Sequence, residues 1–174
     1  MVRIAIPMLS VALAASLLAG CGGYDSQVSA RVVRVVDGDT IVVSIDGTTE
    51  RVRYIGIDTP ESVKPGVPVQ CWAKRASALN RSLVSGRTVR LTFDQERRDR
   101  YGRLLAYVTR EDGLDVNGRL LQDGAARTLE ISPNTSRASS YRRLQSDARS
   151  RSMGLWSVCE EPQGTTGLLV SSPG

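Results

Sequence analysis

Two Asp-Gly turns set between valine- and isoleucine-rich runs constrain the fold of this chain more than any other feature. Asp37-Gly38-Asp39-Thr40 separates residues 30–36 from 41–45, and Asp46-Gly47 separates 41–45 from 50–57. β-Branched side chains favour a pleated backbone, and Asp-Gly suits the tight turn of a hairpin. Three successive antiparallel strands, a β-meander, are therefore expected.

The rest of the chain continues this pattern. Residues 62–70 carry Pro65 and Pro68 and read as a loop, followed by a helix over 72–84 with Ala76, Leu79 and Leu83 on one stripe and Gly86 ending it. Val89, Leu91 and Phe93 alternate in a strand over 87–93, and another strand is expected over 103–110, with the charged loop 94–102 between them. Helices follow over 116–122 and 136–151, the second turning Ala138, Tyr141, Leu144 and Ala148 inward behind a cap at Asn134 or Thr135. Three strands, a helix, two strands and two helices make an α+β chain. A five-stranded barrel with a helix between its third and fourth strands, and three helices in all, is the OB-fold, which often binds oligonucleotides on one face.

The complete absence of histidine excludes Ser-His-Asp triads, Cys-His dyads and histidine general bases. Acid-base chemistry falls to carboxylates, Lys, Tyr or Arg. The net charge of +5 attracts polyanions without specifying a partner. Against that background Asp39 and Asp58 stand out, because neighbouring strands of a barrel can bring their carboxylates to one cation. A hard divalent ion such as calcium accepts oxygen ligands in loose geometry. Arg53 and Arg103 flank them, and planar guanidinium groups suit the charge that develops on a phosphodiester under attack.

The segments Asp37-Gly38-Asp39-Thr40, Arg53-Tyr54-Ile55-Gly56-Ile57-Asp58-Thr59-Pro60-Glu61 and Asp99-Arg100-Tyr101-Gly102-Arg103 together resemble the thermonuclease family of micrococcal-nuclease-like, calcium-dependent nucleases. The resemblance runs from about Ala30 to Trp156. It implies the same barrel fold and an endonuclease that hydrolyses DNA and also RNA to 3′-phosphate products. It further implies that Asp39, Asp58 and the carbonyl of Thr59 bind calcium while Asp37 holds a metal-bound water. By the same resemblance Glu61 activates the attacking water, Arg53 and Arg103 stabilise the transition state, and Arg100 and Tyr101 contact the nucleotide. The Ser132-Pro133 bond is expected to be cis on the same grounds. Leu129-Glu130-Ile131 stands where the best-known member of the family has two tyrosines lining the nucleotide pocket, so stacking on the base is expected to differ. The arginines of the last helix, Arg137, Arg142, Arg143, Arg149 and Arg151, either guide nucleic acid or form a solvated face.

The ends read as export and anchoring. Residues 1–20 form a signal peptide, with Arg3 before an apolar core. Leu18-Ala19-Gly20-Cys21 resembles a lipobox, in which cleavage precedes a lipidated cysteine, so Cys21 becomes the anchored first residue. The alternatives are an ordinary secretory signal or a transmembrane anchor, for which an apolar stretch of about 15 residues falls short of the ~20 that span a bilayer. Residues 21–29 are the tether, 30–159 one nuclease domain and 160–174 a disordered tail. A membrane lipoprotein facing the extracellular or periplasmic side is expected, monomeric and without a protein partner. With Cys21 lipidated, Cys71 and Cys159 either pair in that oxidising space or remain two separate thiols. Pairing would pin the chain after Trp156 to the first helix, raising thermal stability by about 4 kcal/mol on a chain-entropy model and leaving the ion site intact. The rival readings are a non-catalytic OB-fold nucleic-acid-binding lipoprotein and a surface lipoprotein using the barrel as inert scaffold.

Overall fold

The computed structural model describes residues 27–62, 66 and 68–159; the signal peptide, Cys21, most of the tether and the tail lie outside the described residues. Five strands close a barrel: β1 (Gln27–Val35), β2 (Thr40–Ile45), β3 (Thr48–Tyr54), β5 (Thr88–Thr92) and β6 (Leu104–Arg110), in the order β1-β2-β3-β6-β5. All pairs are antiparallel except β3 with β6, which run parallel with Arg53 opposite Leu105. Two short strands, β4 (Ile57–Asp58) and β7 (Arg127–Thr128), form a separate ribbon beside the barrel. Helices α1 (Ala73–Val84), α2 (Val116–Gln122), α3 (Ala138–Ser150) and the single-turn α4 (Leu155–Val158) complete the α+β fold.

Alternation along the strands fills the barrel. Ile41, Val43, Val52, Val89, Leu91, Ala106 and Val108 are all buried, with α1 and α2 closing the core through Ala76, Val84, Leu120 and Leu121. Removing this apolar surface from water is the main source of stability. Two buried asparagines then fix how the helices meet the strands. Asn80 of α1 accepts from the Tyr54 hydroxyl at 3.0 Å and donates to the Asp37 carbonyl at 2.9 Å, clasping the β1–β2 turn. Asn117 of α2 accepts from Val108 N at 3.0 Å and donates to the Ile55 carbonyl at 2.9 Å, satisfying backbone groups where β3 ends.

Several boundaries depart from the sequence-based expectation. The first strand begins at Gln27 rather than Ala30, because Gln27, Val28 and Ser29 pair with Thr92, Leu91 and Arg90 of β5 despite their polar composition. The third strand does not run on to Ile57. Gly56 adopts φ 79°, and a Cβ there would lie 2.8 Å from the Tyr141 ring, so the backbone breaks and Ile57–Asp58 pair with Arg127–Thr128 instead. Neither Asn134 nor Thr135 caps α3, which starts after Arg137 without a side-chain cap. Asn134 is engaged elsewhere, accepting from Glu96 N and donating to Glu96 O, both at 2.8 Å. The Ser132-Pro133 bond is cis. Cys71 and Cys159 are joined by a disulfide with an S–S distance of 2.01 Å across 88 positions of sequence.

Candidate active site

The turn between β1 and β2, the end of β3 and the end of β4 with the residues that follow it converge on one cleft of about 170 Å³. The register that sets Thr40 opposite Arg53 places Asp39 beside the guanidinium. Asp39 Oδ2 lies 3.2 Å from Arg53 Nη1 and accepts from Thr59 N at 2.7 Å and Thr59 Oγ1 at 2.9 Å. Gly38 makes this approach possible, since a Cβ there would meet Thr59 Oγ1 at 2.5 Å. Arg53 Nη2 reaches Asp58 Oδ1 at 2.7 Å, so a single guanidinium spans both aspartates. Its Nη1 also donates to the carbonyls of Tyr54 at 3.1 Å and Ile57 at 2.8 Å, locking the side chain across the break after β3.

Negative charge is crowded here. Asp37 accepts from Asp39 N at 3.1 Å, and burial together with the neighbouring Asp39 carboxylate pushes Asp37 up to about 6. Asp58 is also raised, first by burial; Arg53 opposes this, and the charges of Asp39 and Glu61 add to it. Arg53 therefore leaves the cluster under-neutralised, which is the electrostatic setting a divalent cation relieves. Among the described residues no group of three or more carboxylate, cysteine or histidine side chains is arranged to hold a metal by itself. The side chains that Arg53 brings together are the carboxylates of Asp39 and Asp58, oxygen donors that suit calcium better than zinc.

Glu61 and Arg103 line the same cleft from outside the barrel sheet. The Glu61 backbone is bound in both directions to Gln70: Glu61 N donates to Gln70 Oε1 at 2.8 Å, and Gln70 N donates to the Glu61 carbonyl at 3.0 Å. Arg103 is aimed by Asp99, whose Oδ2 accepts from Nε at 2.6 Å while Oδ1 accepts from the backbone N–H groups of Tyr101 and Arg103. Burial raises Asp99, but these hydrogen bonds outweigh it and hold the carboxyl below its usual range. Sequence reasoning assigned roles to neither Gln70 nor Asp99. The signal for Asp99 was its position four residues before Arg103, at the mouth of a Tyr-Gly turn; Gln70 carried none.

A second, wider cleft of about 440 Å³ shares Arg53 and Arg103 with the first and extends past Arg100, Tyr101, Leu129 and Ile131. Arg100 Nη2 donates to the Tyr101 hydroxyl at 2.7 Å, and the Tyr101 ring is largely exposed. Leu129 and Ile131 present exposed aliphatic surface on the opposite wall. The arginines in and flanking α3 line neither cleft, and most are engaged in their own contacts. Arg137 pairs with Asp115 at 3.2 Å, Arg142 with Glu130 at 2.5 Å and Arg151 with Asp147 at 3.4 Å, while Arg149 lies over the Trp156 ring.

Comparison with known proteins bears on this geometry. The family model described as Staphylococcal nuclease homologue matches residues 51–158, a span that contains Arg53, Asp58, Glu61 and Arg103. A thermonuclease of Staphylococcus intermedius is 42% identical over 125 residues, covering 72% of this chain and 74% of that protein. A thermonuclease of Staphylococcus hyicus is 40% identical over 127 residues, covering 73% and 75% respectively. An endonuclease of Bacillus subtilis is 43% identical over 126 residues, covering 71% of this chain and 59% of its own length.

Proposed function

Because the chain belongs to the Staphylococcal nuclease homologue family, we propose that it is a calcium-dependent endonuclease that hydrolyses DNA and RNA to 3′-phosphate products. The observation that carries this reading is the single guanidinium of Arg53 spanning Asp39 and Asp58 in a cleft also lined by Glu61 and Arg103. Asp39, Asp58 and the Thr59 carbonyl would hold calcium, with Asp37 supporting a bound water. When bound, the ion polarises the phosphodiester and offsets the carboxylates' repulsion of a polyanion.

The protein's own residues then divide the work. Arg53 has five N–H donors, three of which are used on Tyr54, Ile57 and Asp58, so capacity remains for a phosphate oxygen. Arg103 approaches the same oxygens from the other side, oriented by Asp99. Both bind the phosphoryl group more strongly as charge accumulates on its equatorial oxygens, which lowers the barrier. Glu61, as a carboxylate, holds a water in line with phosphorus and takes its proton. Tyr101 and Arg100 receive the base and an adjacent phosphate in the wider cleft.

We further assign residues 1–20 to a signal peptide and Cys21 to lipid anchorage, giving a monomeric membrane-anchored nuclease domain that faces the extracellular or periplasmic side. Among the described residues no helix is long and apolar enough to cross a membrane. End-group analysis of an end-labelled single-stranded oligonucleotide incubated with the mature protein and calcium tests the reading. Fragments ending in 3′-phosphate are expected. A shifted but uncut oligonucleotide would instead favour a barrel that binds nucleic acid without cutting it.

A further inference from the structure

We propose that Gln70 is a positioning residue for Glu61 and that the Cys71–Cys159 disulfide holds Gln70 in place, so that catalysis depends on the redox state of this pair. The inference rests on Glu61 being the residue that orients the attacking water.

Glu61 is fixed from two sides. Before it, Thr59 is bound through N and Oγ1 to the buried Asp39, and Pro60 contributes no N–H. Beyond it, the reciprocal bonds with Gln70 tie together the two ends of the segment 61–70, so the main chain of Glu61 is located by a residue nine positions later. Gln70 in turn leans on the start of α1, where its carbonyl accepts from Ala73 N at 3.1 Å.

That helix start is weakly secured by local means. It has no side-chain cap and no acidic residue in its first turn. Trp72 adopts φ 69°, a left-handed conformation that a bulky residue keeps only when its surroundings impose it. The disulfide imposes such a constraint on the intervening residue, Cys71, and connects it to the end of α4. α4 is seated at its start, where Leu155 is buried and its N–H donates to the Gly124 carbonyl at 2.8 Å, and Cys159 is tied back to that residue by its own N–H, which donates to the Leu155 carbonyl at 3.0 Å. A path therefore runs from α4 through Cys159, Cys71 and Gln70 to Glu61, while the β1–β2 turn that carries Asp39 and the strand that carries Arg53 do not depend on it.

Oxidation of the pair proceeds by thiol–disulfide exchange. The two cysteine thiols give up two protons and two electrons, an S–S bond forms between them, and a partner disulfide is reduced to two thiols. Before that exchange, Glu61 is held by hydrogen bonds to a loosely secured helix start, and the nuclease is kept below full activity until its thiols are oxidised.

The test uses the mature chain with calcium and a single-stranded oligonucleotide, oxidised or reduced with dithiothreitol. Thermal melts are recorded to establish that each sample is folded at the assay temperature. Reduction should lower wild-type kcat by about tenfold with little change in KM, the signature of a displaced water-orienting group rather than lost substrate binding. Gln70→Ala should cause a similar loss when oxidised, and reduction should then add nothing further, because both changes cut the same path. Gln70→Glu retains an oxygen that can accept from Glu61 N and should keep most of the activity. The Cys71→Ser/Cys159→Ser protein should match reduced wild type and ignore reductant. Equal kcat for folded oxidised and reduced wild type, or additive losses from reduction and Gln70→Ala, would overturn the proposal. Oxidised wild type that cuts nothing would overturn the nuclease reading itself, a result distinguishable from the other two.

Discussion

Asp39, in the turn between β1 and β2, and Arg53, on β3, have side chains only 6% and 14% exposed, whereas Tyr101, on the turn before β6, is 69% exposed. The first two are held by the barrel register and by hydrogen bonds to Thr59, Tyr54 and Ile57. Glu61, Arg100 and Tyr101 lie on segments outside the sheet, and their placement depends on Gln70, Asp99 and the Tyr-Gly turn. The difference separates two kinds of residue in the two adjoining clefts. Asp39 and Arg53 also hold the protein together, while Glu61, Arg100 and Tyr101 can vary without disturbing the core.

The sharpest way to break this comparison is to substitute one residue from each side and measure activity and stability together. Glu61→Gln is expected to lower kcat by about 10³-fold through loss of the base, with an unchanged melting temperature. Arg53→Gln should lower kcat by about 10²- to 10³-fold. Melted without calcium, it should also be destabilised by about 3 kcal/mol, because Asp39 then lies buried beside no cation, which lowers Tm by roughly 10 °C. Kinetics paired with thermal denaturation read both. If Glu61→Gln melted as early as Arg53→Gln, the division between barrel-held and loop-held residues would be wrong.

Smaller effects sharpen the loop side. Tyr101→Ala should raise KM by about tenfold at nearly constant kcat, the scale of one lost base–aromatic stack. Leu129→Tyr should move KM the other way by restoring an aromatic wall opposite Tyr101. Steady-state assays on short single-stranded oligonucleotides would show both shifts, and an unchanged KM in the two variants would remove the wider cleft from substrate binding.

The least effect is expected at Asp94, which joins the loop to the start of α3 by accepting from Tyr107 Oη at 3.1 Å and Ser136 N at 3.0 Å. Burial raises this carboxyl, but hydrogen bonds from Ser136, Tyr107 and Gln95 outweigh it and leave it below the ordinary 3.8. A lowered carboxyl contributes stability above its unfolded value and loses it as pH falls through the folded value. Asp94→Asn should therefore cost roughly 1–2 kcal/mol at neutral pH. Its Tm gap to wild type should close as pH is lowered past 3.8, measured by circular dichroism. A gap independent of pH would mean that Asp94 acts by shape and not by charge.

The same division explains what could be read from the sequence. Asp37, Asp39 and Arg53 were legible because turn chemistry and strand alternation place them by local rules, and the Asp-Gly turns announce both hairpins, whereas Asp58, expected at the end of the third strand, lies on the β4–β7 ribbon. The break at Gly56 was not, since its cause is the Tyr141 ring, contributed by a helix far along the chain. Asn134 was taken for a helix cap because that is its commonest use, yet the Glu96 backbone claims both ends of its amide. Gln70 was illegible for a related reason: a polar residue in a proline-containing loop carries no period or turn signal, and only the folded chain sets it against Glu61. Leu129 and Ile131 were noticed through resemblance alone, because nothing local marks an exposed aliphatic residue as part of a cleft.

On the proposed reading the carboxylates around Arg53 hold calcium for phosphodiester hydrolysis. Release of acid-soluble nucleotides from DNA, measured for the mature protein with calcium and again with excess chelator, tests it most directly. Rapid release is expected with calcium, loss of at least about 10²-fold on chelation and full recovery when calcium is restored. Undiminished release in the chelator, with Arg53 and Glu61 unaltered, would contradict it.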